Sequence, residues 1–336
     1  MTDAAVEHTE RSRLPTRRAL LGAVRGFALA PALVVLFIVG IFTSPAFFTT
    51  ANFSNTAQFS AALGMVVVAE SLILLTGSFD LSLQSVYGLA PMIGAWLIVP
   101  KDGQGLGTHW NPAIGILIVL AIGGAVGLFN GFMVVKLRFN AFIFTLAMLI
   151  LLAGLQQGIV SGRTIYEMPP SFIYLGSAYW GGFPVSAWAT AAVFLVAALF
   201  LRYHRVGRAI YAIGGNLEAA RAAGIKVDRV RIGVFAVAGM LAAAAGLMIA
   251  GQVVAVTANQ GNNLIFTVFA AAVIGGISLD GGRGRMAGAF TGVVLLGLVN
   301  NVLVLRNTST FWIDAANGAI ILVALGVARV VGTDKT

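Results

Sequence analysis

Cysteine is absent from the 336-residue chain. A disulfide framework, a thiolate metal site and a cysteine nucleophile are therefore excluded. Histidine is scarce: His8, His109 and His204 lie far apart in polar segments and offer no His-rich metal site. Charge is scarce as well. Only 10% of the residues are charged and 59% are hydrophobic, whereas a soluble domain uses roughly 25% charged residues to solvate its surface. Most of the surface must face something other than water, and lipid is the natural candidate. No G-x-x-x-x-G-K-[ST] sequence occurs, nor any Gly-Lys dipeptide, so the chain has no P-loop for a nucleotide. The formal net charge of +9 does not point to nucleic acid, because the basic residues flank apolar segments.

A helix needs about 20 mostly apolar residues to cross a bilayer. Ten stretches read as such spans, at about 27–44, 57–76, 81–99, 113–135, 141–160, 186–201, 232–250, 264–279, 286–305 and 312–330. The expected fold class is an all-α integral membrane protein, a polytopic bundle of about ten transmembrane helices. The 41 glycines fit closely packed membrane helices. Residues 1–26 are polar and carry Arg11, Arg13, Arg17, Arg18 and Arg25, and the first apolar run is followed by Phe47 and Phe48. That long leader and aromatic flank read as a retained first helix rather than a cleaved signal peptide.

With the N-terminus inside and ten alternating spans, 18 of the 21 Lys and Arg residues fall on the inner side. Outside, only Lys101, Arg163 and Arg306 remain. The positive-inside rule therefore places both termini in the cytoplasm. The organisation expected is a cytoplasmic arm 1–26, a transmembrane domain 27–330 with a long cytoplasmic loop 202–231, and a cytoplasmic tail 331–336. The longest outer loop, 161–185, holds Tyr166, Tyr174, Tyr179 and Trp180. Such aromatics suit an interfacial belt, and they also suit docking of an external partner.

Several polar residues fall within or beside the spans. Glu70 lies midway through the second, where a charge costs at least ~2.5 kcal/mol on insertion scales, so it should face the bundle interior. It serves there either as an interhelical hydrogen-bonding group or as a lining residue of a solute path. Asp80 precedes an apolar run and reads as a cap for the third span or as a solute contact at a broken helix, where irregular backbone lines a cavity. Gln84, Asn130 and Gln156, with Gln157, Gln252, Asn300 and Asn301, are neutral amides. Amides bind hydroxyl groups because they donate and accept, and they also join helices. Gly123, Gly127 and Gly131 make a small-residue stripe for close helix packing. The glycine-rich run 275–284 reads as a tight inner turn.

The loop 202–231 contains Gly214-Gly215-Asn216-Leu217-Glu218-Ala219-Ala220-Arg221-Ala222-Ala223-Gly224. Asn216 suits an N-cap, Glu218 suits the positive end of a helix and Gly224 suits a stop. The spacing predicts a two-turn helix over about 217–223. Its alanines give it little side-chain area with which to hold itself together in water. It is either a connector on the membrane surface or a coupling helix for another protein.

Glu218, Ala219, Ala220 and Gly224 resemble the EAA signature of importer permeases that work with an ATP-binding-cassette subunit. Four further blocks follow in order. Thr76-Gly77-Ser78-Phe79-Asp80-Leu81-Ser82 resembles the T-G-G-x-D-L-S motif of ribose-type permeases. Gly127-Leu128-Phe129-Asn130-Gly131 with Phe142-Ile143-Phe144-Thr145-Leu146, Gly207 to Asn216, and Ile274-Gly275-Gly276 with Gly281-Gly282-Arg283-Gly284 match the remainder. The chain thus resembles the permease subunits of monosaccharide ABC importers over most of its length. It departs from their pattern at Leu83-Gln84-Ser85, at Ala141 in place of a proline, and at Ile265 and Thr267 in place of an acidic pair.

The resemblance implies a permease subunit of the inner (plasma) membrane for a sugar or sugar-like solute. It implies an ABC ATPase partner docked at Glu218, Ala219, Ala220, Arg221 and Gly224, an extracytoplasmic solute-binding protein, and a second permease copy or paralogue. ATP would be used by the partner, with no cofactor bound by this chain and no catalytic residues in it. An ion-coupled secondary transporter is the rival reading, with Glu70 as the ion site. A membrane-embedded enzyme would need a clustered acid, base or metal set that the sequence does not offer.

Overall fold

The computed structural model describes residues 29–332 apart from residue 109. The expected arm 1–26, His8, His109 and the tail after Gly332 lie outside the described residues. Thirteen helices and one small hairpin make up the described chain. Each of the ten apolar stretches falls on a helix: α1 (Ala30–Thr43), α2 (Thr50–Leu75), α3 (Leu83–Ile98), α4 (Pro112–Val135) and α5 (Ala141–Ile159) come first. After α6 (Pro170–Ser177), β1 (Tyr179–Trp180) and β2 (Phe183–Pro184) come α7 (Val185–Tyr203), α8 (Arg205–Gly215) and α9 (Leu217–Ala222). The chain ends with α10 (Val227–Val253), α11 (Leu264–Ile274), α12 (Met286–Leu305) and α13 (Thr310–Gly332). Six of them, α2, α4, α5, α7, α10 and α12, are long and apolar enough to cross a membrane.

Local chemistry sets the helix ends. Thr49 caps α2 by accepting from Asn52 N at 3.2 Å, which starts that helix seven residues before the apolar run begins. Asn111 accepts from Ala113 N at 2.9 Å, with Pro112 in the first helical position. Asn140 accepts from Ile143 N at 3.1 Å. These short polar side chains satisfy amides that a helix start leaves without partners. Where the sequence pattern runs on to residue 279, α11 stops at Ile274, because Gly275 is followed by Gly276 at φ +84°.

The segment 161–185, expected as an outer loop, is more ordered than a loop reading expects. It contains α6 and the β1–β2 hairpin, whose two turn residues, Gly181 and Gly182, both have positive φ. That is the turn geometry that matches strand twist. Tyr179 donates its hydroxyl to Gln58 Oε1 at 3.0 Å, and Gln58 donates to Gly176 O at 2.6 Å. The loop is thereby tied to α2.

α2 and α10 form the centre of the bundle. α2 is buried along most of its length, and α10 packs on α4, α2, α3 and α6. Glycine makes the close approaches possible. A Cβ on Gly123 of α4 would meet the Gly239 carbonyl of α10, and a Cβ on Gly239 would meet the Gly123 carbonyl. Further along α10, Gly246 lies against Tyr87 O of α3, and Gly251 against Ile173 O of α6. With no hydrophobic effect to drive association within lipid, such backbone proximity is the main source of packing energy.

The stripe on α4 is therefore a packing surface. Gly127→Leu should place a side chain where the Phe235 carbonyl stands and destabilise the bundle by about 1–3 kcal/mol or more. Gly154→Ala, whose Cβ meets nothing within 4 Å, should be neutral. Thermal unfolding of the two detergent-solubilised variants checks the contrast, and equal midpoints would contradict it.

Candidate functional site

The chain between α2 and α3 does not simply turn round. Thr76 and Gly77 end α2, and Ser78–Ser82 then run back beside it as irregular backbone. Asp80 N donates to Glu70 Oε1 at 3.4 Å. Asp80 Oδ1 accepts from Ser82 N at 3.0 Å and from Ser82 Oγ at 2.6 Å. Asn130 of α4 donates to Ser82 Oγ at 2.7 Å and lies 3.4 Å from both Asp80 carboxylate oxygens. Thr145 of α5 accepts from Leu81 N at 3.1 Å. Glu70, Asp80, Ser82, Asn130 and Thr145 are all fully buried.

These five residues form a closed polar node that fastens the break between α2 and α3 to α4 and α5. Asp80 is not the cap of α3; Ser82 occupies that position without a side-chain cap bond. Asp80 instead folds the turn before it. No ion pair reaches Glu70 or Asp80 among the described residues. Glu70 Oε2 and Asn130 Oδ1 have no hydrogen-bond partner there, so the node holds more polar capacity than its neighbours use.

Gln84 and Gln156 serve a second break, the loop 254–263 between α10 and α11. Gln84 Oε1 accepts from Ile265 N at 3.2 Å, in the first turn of α11. Gln156 Nε2 donates to Thr257 O at 3.2 Å and to Gln260 O at 3.3 Å. Gln260, which the sequence reading passed over, donates to Tyr87 O at 3.0 Å and Gly246 O at 3.2 Å. Gln156 thus satisfies carbonyls of the loop itself, Gln84 ties α3 to the start of α11, and Gln260 ties the loop to α3 and α10. A glutamine within ten residues of a helix start in an apolar region was the available signal for Gln260.

The short helix α9 forms where the spacing places it. Asn216 accepts from Ala219 N at 2.9 Å, and Gly224 stops the helix at φ +78°. Ala220 is its buried residue, packed in a small cluster with Ile213 and Val227. Glu218, Ala219, Arg221, Ala222 and Gly224 are exposed. A chain of charges runs beside it. Lys136 lies 2.6 Å from Asp228, Asp228 3.7 Å from Arg221, and Arg221 3.6 Å from Glu218.

α8 was not anticipated as a helix. Its buried face is Gly207, Ile210 and Ile213, at helical spacing, a signal masked by the surrounding arginines. His204 ends α7 and also starts α8, accepting from Val206 N through Nδ1 at 3.2 Å.

Three of the sequence blocks meet below the node. Gly214 of α8 lies against Leu75 O and Gly282 N, and Gly281 against Gly77. Gly282 N donates to Leu75 O at 3.0 Å. Tyr211 donates to Gly284 O at 3.0 Å, and Arg231 of α10 to Ser78 Oγ at 2.6 Å. The backbone at the end of α2, the segment leading into α9 and the turn after α11 are thus in direct contact, with no side chain between them.

Over residues 52–325 the chain matches the family described as branched-chain amino acid transport system / permease component. It belongs to that family. The permease is 33% identical to the ribose import permease protein RbsC of Escherichia coli K12, over 88% of this chain and 90% of that one. To the L-arabinose transport system permease protein AraH of the same strain it is 34% identical, over 89% of each chain. To the autoinducer 2 import system permease protein LsrC of Klebsiella pneumoniae it is 36% identical, over 87% of this chain and 82% of that one. No solved structure matches it. The resemblance to ribose-type importer permeases read from the motifs is borne out, and the protein is a multi-pass membrane permease subunit.

The glycine junction should tolerate no side chain on its inner face. Gly214→Ala should loosen the loop 202–231, raising its cleavage by added protease and lowering the thermal midpoint of the permease. Gly215→Ala, which meets nothing within 4 Å, should leave both unchanged. Equal behaviour of the two variants would remove the junction from the account.

Proposed function

We propose that the permease forms the membrane pathway of an ATP-binding-cassette importer for a sugar or sugar-like solute, and that α9 is where its ATPase partner docks. The observation that carries this reading is α9 itself. It is a two-turn helix with one residue buried and an alanine-lined face left open, joined through Gly214 to the end of the helix that carries Glu70. Small side chains let a partner's groove approach the backbone closely, while Glu218 and Arg221 offer charge at the rim. The family and the import permeases among its relatives support the same reading.

In this scheme ten helices cross the inner membrane, both termini are cytoplasmic, and the domain 27–330 presents the loop 202–231 to the cytosol between the arm 1–26 and the tail 331–336. The single inward-facing charge chain Lys136–Asp228–Arg221–Glu218 suits that orientation. An extracytoplasmic binding protein delivers the solute, and a second permease copy or paralogue completes the pathway. ATP is bound and hydrolysed by the partner, whose two states must bind the permease with different affinity if they are to drive it. Glu70, Asp80, Gln84, Asn130 and Gln156 hold the walls of the pathway at the two helix breaks. Their burial means that contact with solute requires one of those breaks to open.

Glu218→Arg and Ala219→Trp alter only the open face of α9. Each should abolish co-purification of the ATPase subunit and reduce ATP-driven uptake at least tenfold, while the amount of permease inserted in the membrane stays at the wild-type level. Uptake that persists in both variants, or in vesicles without the ATPase, would favour an ion-coupled transporter instead. Because the chain has no cysteine, single cysteines at Ala222 and Trp180 report sidedness without background. An impermeant maleimide should reach Trp180→Cys from outside and Ala222→Cys only from the cytoplasmic face.

A further inference from the structure

A cavity of about 550 Å³ opens beside the second helix break. Its walls come from Tyr87 of α3, the end of α10, the loop 254–263 and the start of α11. Its depth follows from helix lengths. α11 has 11 residues and is therefore only about 16 Å long, roughly half of a ~30 Å hydrocarbon core. Its inner end leads into the turn that touches Gly77, and its first turn is met by Gln84, the second residue of α3. The other half of that span is the loop 254–263. It begins beside the outer loop, where Val256 and Ile165 exchange backbone hydrogen bonds at 3.0 Å, and descends until Gly261 touches Gln84 O. Val254, Gly261 and Asn263 all take positive φ along it. Irregular backbone at that depth is sustained only where protein or a water-filled cavity surrounds it.

The polar residues of this loop divide into two sets. Gln260 also lines the cavity but gives its amide nitrogen to backbone of α3 and α10, and Gln84 and Gln156 from neighbouring helices likewise bond backbone. Thr257, Asn262, Asn263 and Thr267 line the cavity, and none of their side chains has a hydrogen-bond partner among the described residues. Asn262 and Asn263 are exposed. Two amides facing hydrocarbon at mid-depth would each cost several kcal/mol, so this face must meet water. No Asp, Glu, Lys or Arg lines the cavity. Thr267 stands where a charged residue would change that.

The geometry points to this cavity as the solute-binding subsite of the pathway, with Thr257, Asn262, Asn263 and Thr267 selecting an uncharged, polyhydroxylated solute. The assignment rests on the importer reading above and deepens it. Amides and hydroxyls both donate and accept, so they pair with sugar hydroxyls in either sense. A carboxylate or an ammonium group would find no counter-charge, and would lose more by leaving water than neutral donors return. The cavity is open on one side, where the second permease subunit of the proposed importer would face it.

Full-length permease in right-side-out vesicles tests the site. Thr267→Cys and Asn263→Cys in the cysteine-free chain should react with a charged, impermeant methanethiosulfonate added outside, whereas Leu195→Cys on the exposed face of α7 should not. A neutral aldopentose or aldohexose should slow the reaction at both positions at least threefold, and a hexuronate or hexosamine should not. In vesicles holding the whole importer, Asn262→Ala and Asn263→Ala should each raise the KM for uptake of that sugar about tenfold, the loss of one or two hydrogen bonds. A Thr267→Cys that stays unreactive, or reacts with no protection by a sugar the wild type imports, overturns the subsite and leaves the importer reading standing. A wild-type importer that takes up charged sugars but no neutral one overturns the substrate class. Loss of all ATP-dependent uptake in the wild type, with labelling and protection intact, overturns the importer reading alone.

Discussion

A helix that stops inside a hydrophobic bundle leaves amides and carbonyls that no water can reach, and each must find a partner within the protein. That requirement shapes this permease more than any other. Among the described residues two breaks occur, one before α3 and one before α11, and buried side chains support both. At the first, Glu70, Thr145 and Asp80 accept from the amides of residues 80, 81 and 82 in turn, and Asn130 braces the Ser82 hydroxyl. At the second, Gln156 donates to the carbonyls of residues 257 and 260, Gln84 accepts from the amide of residue 265, and Gln260 ties the loop to carbonyls of α3 and α10. Gln84 is close to both, since it lies two residues after Ser82 and caps the first turn of α11. The breaks are neighbours in space and share a support.

Glycine provides the complementary device. Where side chains fill space, helices keep their distance; where Gly123 faces Gly239 and Gly214 faces Leu75 O, backbones touch. Direct backbone contact leaves little to rearrange short of moving the elements themselves. This joins α8 to the terminus of α2, five residues from Glu70, and to the turn that follows α11. The loop 202–231 thus abuts elements that adjoin both breaks.

The apolar stretches were legible because a span in lipid must be continuous and greasy, and every one of the ten falls on a helix. Helix ends were less so. α2 starts seven residues early because Thr49 can cap it, and α11 ends early at Gly275, and neither event alters mean hydropathy much. α9 was readable from Asn216, Glu218 and Gly224, since each residue type has a positional preference at a helix terminus. α8 was hidden because its two isoleucines sit among arginines. The polar candidates were found as residues, but a sequence does not say which amides face backbone and which face a cavity. Gln84 and Gln156 turned inward to backbone, while Asn262 and Asn263, outside every expected span, stand at the cavity wall.

His204 belongs to two helices at once, and Asn216 likewise both ends α8 and begins α9. From the last turn of α7 to the first of α9 there is no free linker at all. Flexible joints would absorb a push as local bending, as a slack chain does. Here the segment resembles a crank cut from one piece: each elbow is a single capped residue, which leaves no slack length between α7 and α9.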